Sequence, residues 1–153
     1  MDRKEKIALW FGCVAMTATG VYAATPSQLI VARQKSYKQI GKATKTITDN
    51  LKTANPSIPL IGKNAKVVAA LAPKIKTWFP KGTGPETGVK TAALPSIWEQ
   101  NAKFVKGSDD LSAAANALVA ATATNDLAQV RAAAANMGKT CKACHTDFRK
   151  KED

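Results

Sequence analysis

Near the C-terminus of this 153-residue chain stands the run Cys141-Lys142-Ala143-Cys144-His145. On a helix its two thiols lie about one turn apart, and the imidazole, four positions after the first thiol, shares their face. That geometry lets both sulfurs bond to the two vinyl groups of one porphyrin edge while the imidazole meets the iron. It is the C-x-x-C-H pattern of c-type haem attachment, and neutral His is a standard axial ligand. Other chemistries fit less well. A structural zinc site takes four ligands, and beyond Ala23 the chain has no third Cys and no second His. A thioredoxin-like pair sits where a strand feeds a helix, and no segment here reads as strand. A scaffold disulfide is disfavoured by the short separation, and a plain pair of buried cysteines remains the bland alternative.

The rest of a haem pocket must come from upstream, because only eight residues follow His145. Arg33 falls within an apolar stripe, where a cation wants a counter-charge. A haem propionate would supply one, with Gln34 as a further polar contact; equally, Arg33 could extend to solvent. The other side of the iron is more constrained. His145 is the only histidine, Met1 and Met16 lie in the N-terminal leader, and Met137 lies one turn before Cys141 on the same helix. His/His and His/Met ligation are thereby disfavoured. Tyr37, one turn after Arg33, is the candidate to fill the distal space. A neutral phenol with a pKa near 10 is a poor ligand, so a steric and hydrogen-bonding lid is expected. Lys38 or Lys42 could ligate only after a costly deprotonation. The expectation is five-coordinate, high-spin iron with one open position.

The N-terminus speaks to location. Arg3, Lys4 and Lys6 precede an apolar stretch from Ile7 to Tyr22, and Val21-Tyr22-Ala23 resembles a cleavage site. This is the tripartite pattern of a secretory signal peptide over residues 1–23, with the domain proper in 24–153 and a periplasmic destination. The apolar run is short for a membrane span and is broken by Thr17, Thr19 and Gly20, so no anchor is expected after cleavage. The whole chain has 23 basic and 11 acidic side chains, a formal +12. Without the leader, twenty basic and nine acidic side chains leave +11. No basic stripe is interleaved with aromatics, so nucleic acid is not an expected partner. The lysines read as scattered over a solvated surface that at best steers an acidic redox partner.

Four stretches carry apolar residues at alternating three- and four-residue steps, and the fold class is all-α. The first runs over about 26–53, with Ile30, Arg33, Tyr37, Ile40, Thr44, Ile47 and Leu51 on one face. The second covers about 63–77 and holds Pro73, which should kink or break it. A Pro/Gly-rich link from Pro80 and a turn over about 96–104 lead to the third, about 108–123. Thr124 or Asn125 is a plausible cap for the fourth, with Asp126 in its first turn. That last stripe reads Leu127, Val130, Ala134, Met137, Cys141, Cys144 and Phe148. Four amphipathic helices on modest links make an antiparallel four-helix bundle the natural solution, here enclosing one covalent haem c.

Taken together, the chain resembles the cytochrome c′ family. The resemblance rests on Ala32-Arg33-Gln34, Trp78-Phe79 with Gly82-Thr83, Ala93-Leu94-Pro95-Ser96-Ile97-Trp98, and above all the ending from Gly138 to Arg149. It implies haem thioethers at Cys141 and Cys144, His145 as proximal ligand, and propionate contacts from Arg33 and Gln34. It also implies a haem contact for Thr91 and a place for Arg149 beside the proximal imidazole; Phe79 and Trp98 are as readily core aromatics. Low-spin relatives carry a sixth-ligand Met four positions after the arginine, where this chain has Tyr37. The resemblance thus implies the high-spin branch, which binds nitric oxide and carbon monoxide, and often homodimers through the first two helices. A plain electron carrier with low-spin, six-coordinate haem is the alternative. Enzymatic activity is not expected, since a peroxidase would want a distal base.

Overall fold

The computed structural model describes residues 23–151; the expected leader lies outside them. Four long helices, all antiparallel to their chain neighbours, form the bundle. The first, α1 (Pro26–Leu51), opens with a reciprocal cap in which Thr25 and Gln28 satisfy each other's backbone N–H groups, and Pro26 sits in the first turn. Its buried residues Ile30, Arg33, Ile40, Ala43 and Ile47 follow the expected stripe. Ser57 caps α2 (Ile58–Leu71), which begins five residues earlier than its periodicity suggested. Pro73 does interrupt this helix: from Ala72 to Thr77 the backbone tightens into a 3₁₀ turn.

The stretch over 96–104, expected as a turn, is helical. A short α3 (Ser96–Glu99) runs straight into α4 (Asn101–Ala123). The fourth long helix, α5 (Leu127–Phe148), is capped by Asp126, whose carboxylate accepts from the N–H groups of Ala128 and Gln129. Asp126 is thus the cap itself and not a first-turn residue. Asn125, the expected alternative, instead takes the left-handed conformation at φ 56° that ends α4.

Each helix packs on the next around the bundle: α1 on α2, α2 on α4, and α4 on α5. Ile61, Ala65, Val68, Ala115, Leu118 and Val130 are wholly buried between them. Gly62 permits the close approach of α2 to α4, since a Cβ there would lie 2.9 Å from Thr122 Oγ1. Contact between α1 and α5 is sparse by comparison, and the cleft described below lies between these two. Its end is closed by a seam between the C-terminal segment and the loop before α3. Leu94 donates to the carbonyl of Phe148 at 3.1 Å, and Lys150 donates to that of Ala92 at 2.8 Å. Among the described residues no helix is long and apolar enough to cross a membrane.

Candidate haem-binding cleft

The α5 stripe that buries Val130, Met137 and Phe148 brings Cys141, Cys144 and His145 onto one wall of a cleft of about 1070 Å³. The facing wall is α1, which contributes Tyr37, Ile40 and Thr44. All eight residues expected at the site line this one cleft: Arg33, Gln34, Tyr37, Thr91, Cys141, Cys144, His145 and Arg149. Met137 is 1 % exposed in the core and does not line it, nor does Lys42; Lys38 lines it but is solvent-exposed.

Arg33 sits at one end, 3 % exposed. Its Nη1 donates to Thr83 Oγ1 at 2.9 Å and its Nη2 to Thr91 Oγ1 at 3.1 Å. The guanidinium stands 4.4 Å from the centre of the Phe79 ring, a cation–π arrangement. Its hydrogen-bond partners are neutral hydroxyls, and burial pulls its pKa below the ordinary value despite the opposing fields of Tyr37 and Glu86. A buried cation without a carboxylate against it suits a place where an anion comes to rest. The neighbouring Gln34 donates to the carbonyl of Lys90 at 2.8 Å. Arg33 and Gln34 together therefore fasten the 79–91 loop onto α1. Thr83, 1 % exposed, is the participant that sequence reasoning did not assign: it was a loop residue after a glycine, with no periodic signal.

Tyr37 is half-buried and meets Trp78 and Phe79 edge-on, with ring centres 5.3 and 6.2 Å away. Burial, reinforced by Cys144 across the cleft and opposed by Arg33, drives its phenol well above the usual range. It is a neutral phenol at any ordinary pH. On the other wall, burial raises the thiol of Cys141, and burial with Cys141 and Asp147 pushes Cys144 up to about 11. Burial and then Arg149 hold His145 below its ordinary value, so its imidazole is neutral near pH 7 and has a lone pair to give a metal.

This donor set fits a covalently held metalloporphyrin. Two thiols and a neutral imidazole share one wall, the far wall offers no strong-field donor, and a buried cation marks one end. Thr44 Oγ1 on the α1 wall is buried without a hydrogen-bond partner in the chain. A zinc reading finds no support, because no cluster of three or more His, Cys, Asp or Glu side chains could hold a metal ion among the described residues.

Comparison with known proteins agrees. The family described as Cytochrome C′ matches residues 28–149. The chain is 36 % identical to a cytochrome c′ of Rhodopseudomonas palustris over 97 % of its own length and 99 % of that protein's. The crystal structure of cytochrome c′ from Thermochromatium tepidum superposes with a TM-score of 0.77 at 33 % identity, over 84 % of this chain and 98 % of that one. A variant of the Alcaligenes xylosoxidans protein in complex with nitric oxide gives 0.75 at 28 % identity, covering 86 % and 100 %. Another variant of that protein has been seen with carbon monoxide bound.

Proposed function

The chain belongs to the cytochrome c′ family and its cofactor is one haem c attached through Cys141 and Cys144; from this we propose that it is an exported binder of small gaseous ligands, nitric oxide and carbon monoxide, with five-coordinate high-spin iron. The haem supplies an iron that cycles between ferric and ferrous and can take a diatomic ligand. His145 holds it from the α5 side. Arg33, fixed by Thr83, Thr91 and Phe79, is the cation that would neutralise a propionate, with Gln34 beside it and Thr91 within the same cluster. Arg149 lies close enough to His145 to act on the imidazole electrostatically.

The observation that carries this reading is the wall opposite His145. Tyr37, neutral and packed on Trp78 and Phe79, occupies it in place of a Met, His or thiolate. It restricts the space without closing the coordination sphere, so a small ligand can compete where a protein donor does not. Ferric protein purified in the absence of ligand is expected to show high-spin optical and magnetic spectra, and ferrous protein to bind nitric oxide. A low-spin ferric spectrum at neutral pH would favour the electron-carrier alternative instead.

Export to the periplasm, with residues 1–23 removed, belongs to the same proposal; the mass of the mature haem protein tests it. Pairing of two copies through α1 and α2 does too. Exposed Val31, Leu60 and Val67 on these helices support it, and sedimentation velocity would return a monomer if it fails.

A further inference from the structure

The lysines that look scattered along the sequence converge on the mouth of the cleft. Lys38 and Lys45 come from α1, Lys90 from the loop, and Lys150 and Lys151 from the C-terminal segment; all five line the cleft and are exposed. Asp49 is the one carboxylate among the described residues lining it, and it is engaged by Lys45 one turn away. The remaining ion pairs among the described residues lie elsewhere. Lys76–Asp109, Lys103–Asp147 and Lys106–Asp110 each involve α4. Charge on that side is locally compensated, whereas the rim of the cleft carries an excess of positive charge.

We infer that this rim is the docking surface for an acidic one-electron-transfer protein. The inference rests on the haem-bearing reading of the cleft given above. Five cations from three separate segments, spaced around one opening, suit an extended surface bearing several carboxylates. A partner seated there lies next to the residues that hold the cofactor. One electron passes from the partner's reduced centre to ferric iron, giving ferrous iron and an oxidised partner; no bond forms or breaks and no proton moves. A lipid surface is the weaker match. The exposed large apolar side chains, Val31, Leu60 and Val67, do not line the cleft, so nothing at the rim is suited to enter a bilayer. Nor does the rim expose an aromatic ring on which a nucleobase could stack.

Stopped-flow reduction of the ferric holoprotein by a small acidic flavoprotein in its hydroquinone form tests this. The variants are Lys38→Glu/Lys150→Glu at the rim and Lys63→Glu/Lys66→Glu on α2, which change the net charge equally. At about 0.01 M salt, where screening reaches about 30 Å, the rim variant should react at least about tenfold more slowly than the parent. The α2 variant should stay within about threefold, and all three rates should converge near 1 M salt. Equal slowing by both variants would reduce the effect to net charge and overturn the proposal, as would no slowing at all. Sedimentation with phosphatidylserine vesicles is the second measurement. Rim-dependent vesicle binding with unchanged flavoprotein kinetics would assign the rim to lipid and also overturn it. Ferric spin state and nitric oxide affinity should be the same in all three proteins. A low-spin parent would sink the gas-binding reading while the kinetic comparison still decides docking.

Discussion

Arg33 Nη1 and Thr83 Oγ1 meet at 2.9 Å although the residues stand 50 positions apart. Thr83 spends its own proton on the carbonyl of Pro80, at 2.8 Å, so what it presents to Arg33 is a lone pair. The guanidinium is held in place before any anion arrives. Thr83→Val removes the acceptor, keeps the shape, and leaves a buried charged N–H unpaired. The holoprotein should lose about 1–3 kcal/mol in denaturant unfolding, and Thr83→Ser should recover most of it. A Thr83→Val protein as stable as the parent would show that the contact does not hold Arg33.

Tyr37→Met places a thioether where the phenol faces the α5 wall. The ferric spectrum is expected to move toward six-coordinate low spin, and the nitric oxide on-rate to fall because a protein donor must first leave. An unchanged high-spin spectrum would mean that position 37 does not address the iron.

The same tyrosine gives the protein an alkaline limit. Its phenol titrates near 10 when unfolded and well above that in the fold, where burial disfavours phenolate. Above pH 10 the unfolded chain therefore releases a proton that the folded chain keeps, and stability must fall as pH rises. Below pH 10 this contribution is fully present. Unfolding free energies measured from about pH 9 to 11 should decline, and Tyr37→Phe should flatten that decline.

At Gly62 the packing of α2 on α4 is directly exposed to test. A Cβ would lie 2.9 Å from Thr122 Oγ1 and 3.3 Å from Thr122 Cβ, so Gly62→Ala forces the helices or the threonine to shift. The expected cost is about 1–3 kcal/mol. Thr122→Ala in the same chain should return part of it; if Gly62→Ala unfolds at the parent's midpoint, the approach is looser than described.

Much of this was legible before any coordinates, and the gaps have physical reasons. The stripes of α1 and α5 read cleanly because nearly every inward position is apolar or a haem-site residue. The start of α4 did not. Its inward positions run Phe104, Ser108, Leu111, Ala115, Leu118 at steps of four and three, and the polar Ser108 hid the repeat. The fold explains that serine: it is 2 % exposed and donates to the carbonyl of Ala72 at 2.9 Å, next to the backbone disturbed by Pro73. The motif Cys141 to His145 identified its own chemistry, since spacing within one helix is local information. Thr83 could not be found that way, because its role exists only when a loop folds back on α1. The lysine rim failed for the same reason: its members come from segments that meet only in three dimensions.

The three residues between Ala123 and Leu127 have a kinetic consequence. With Asn125 left-handed and Asp126 already capping the next helix, α4 and α5 form a hairpin with almost no chain to close. Much of the bundle's packing joins helices that follow one another directly, which keeps loop-closure entropy low and favours rapid assembly. The wall bearing both thiols can thus zip up before α1 finds its place. Refolding of the haem-bearing chain slower than seconds, without a trapped ligand, would contradict that order of events.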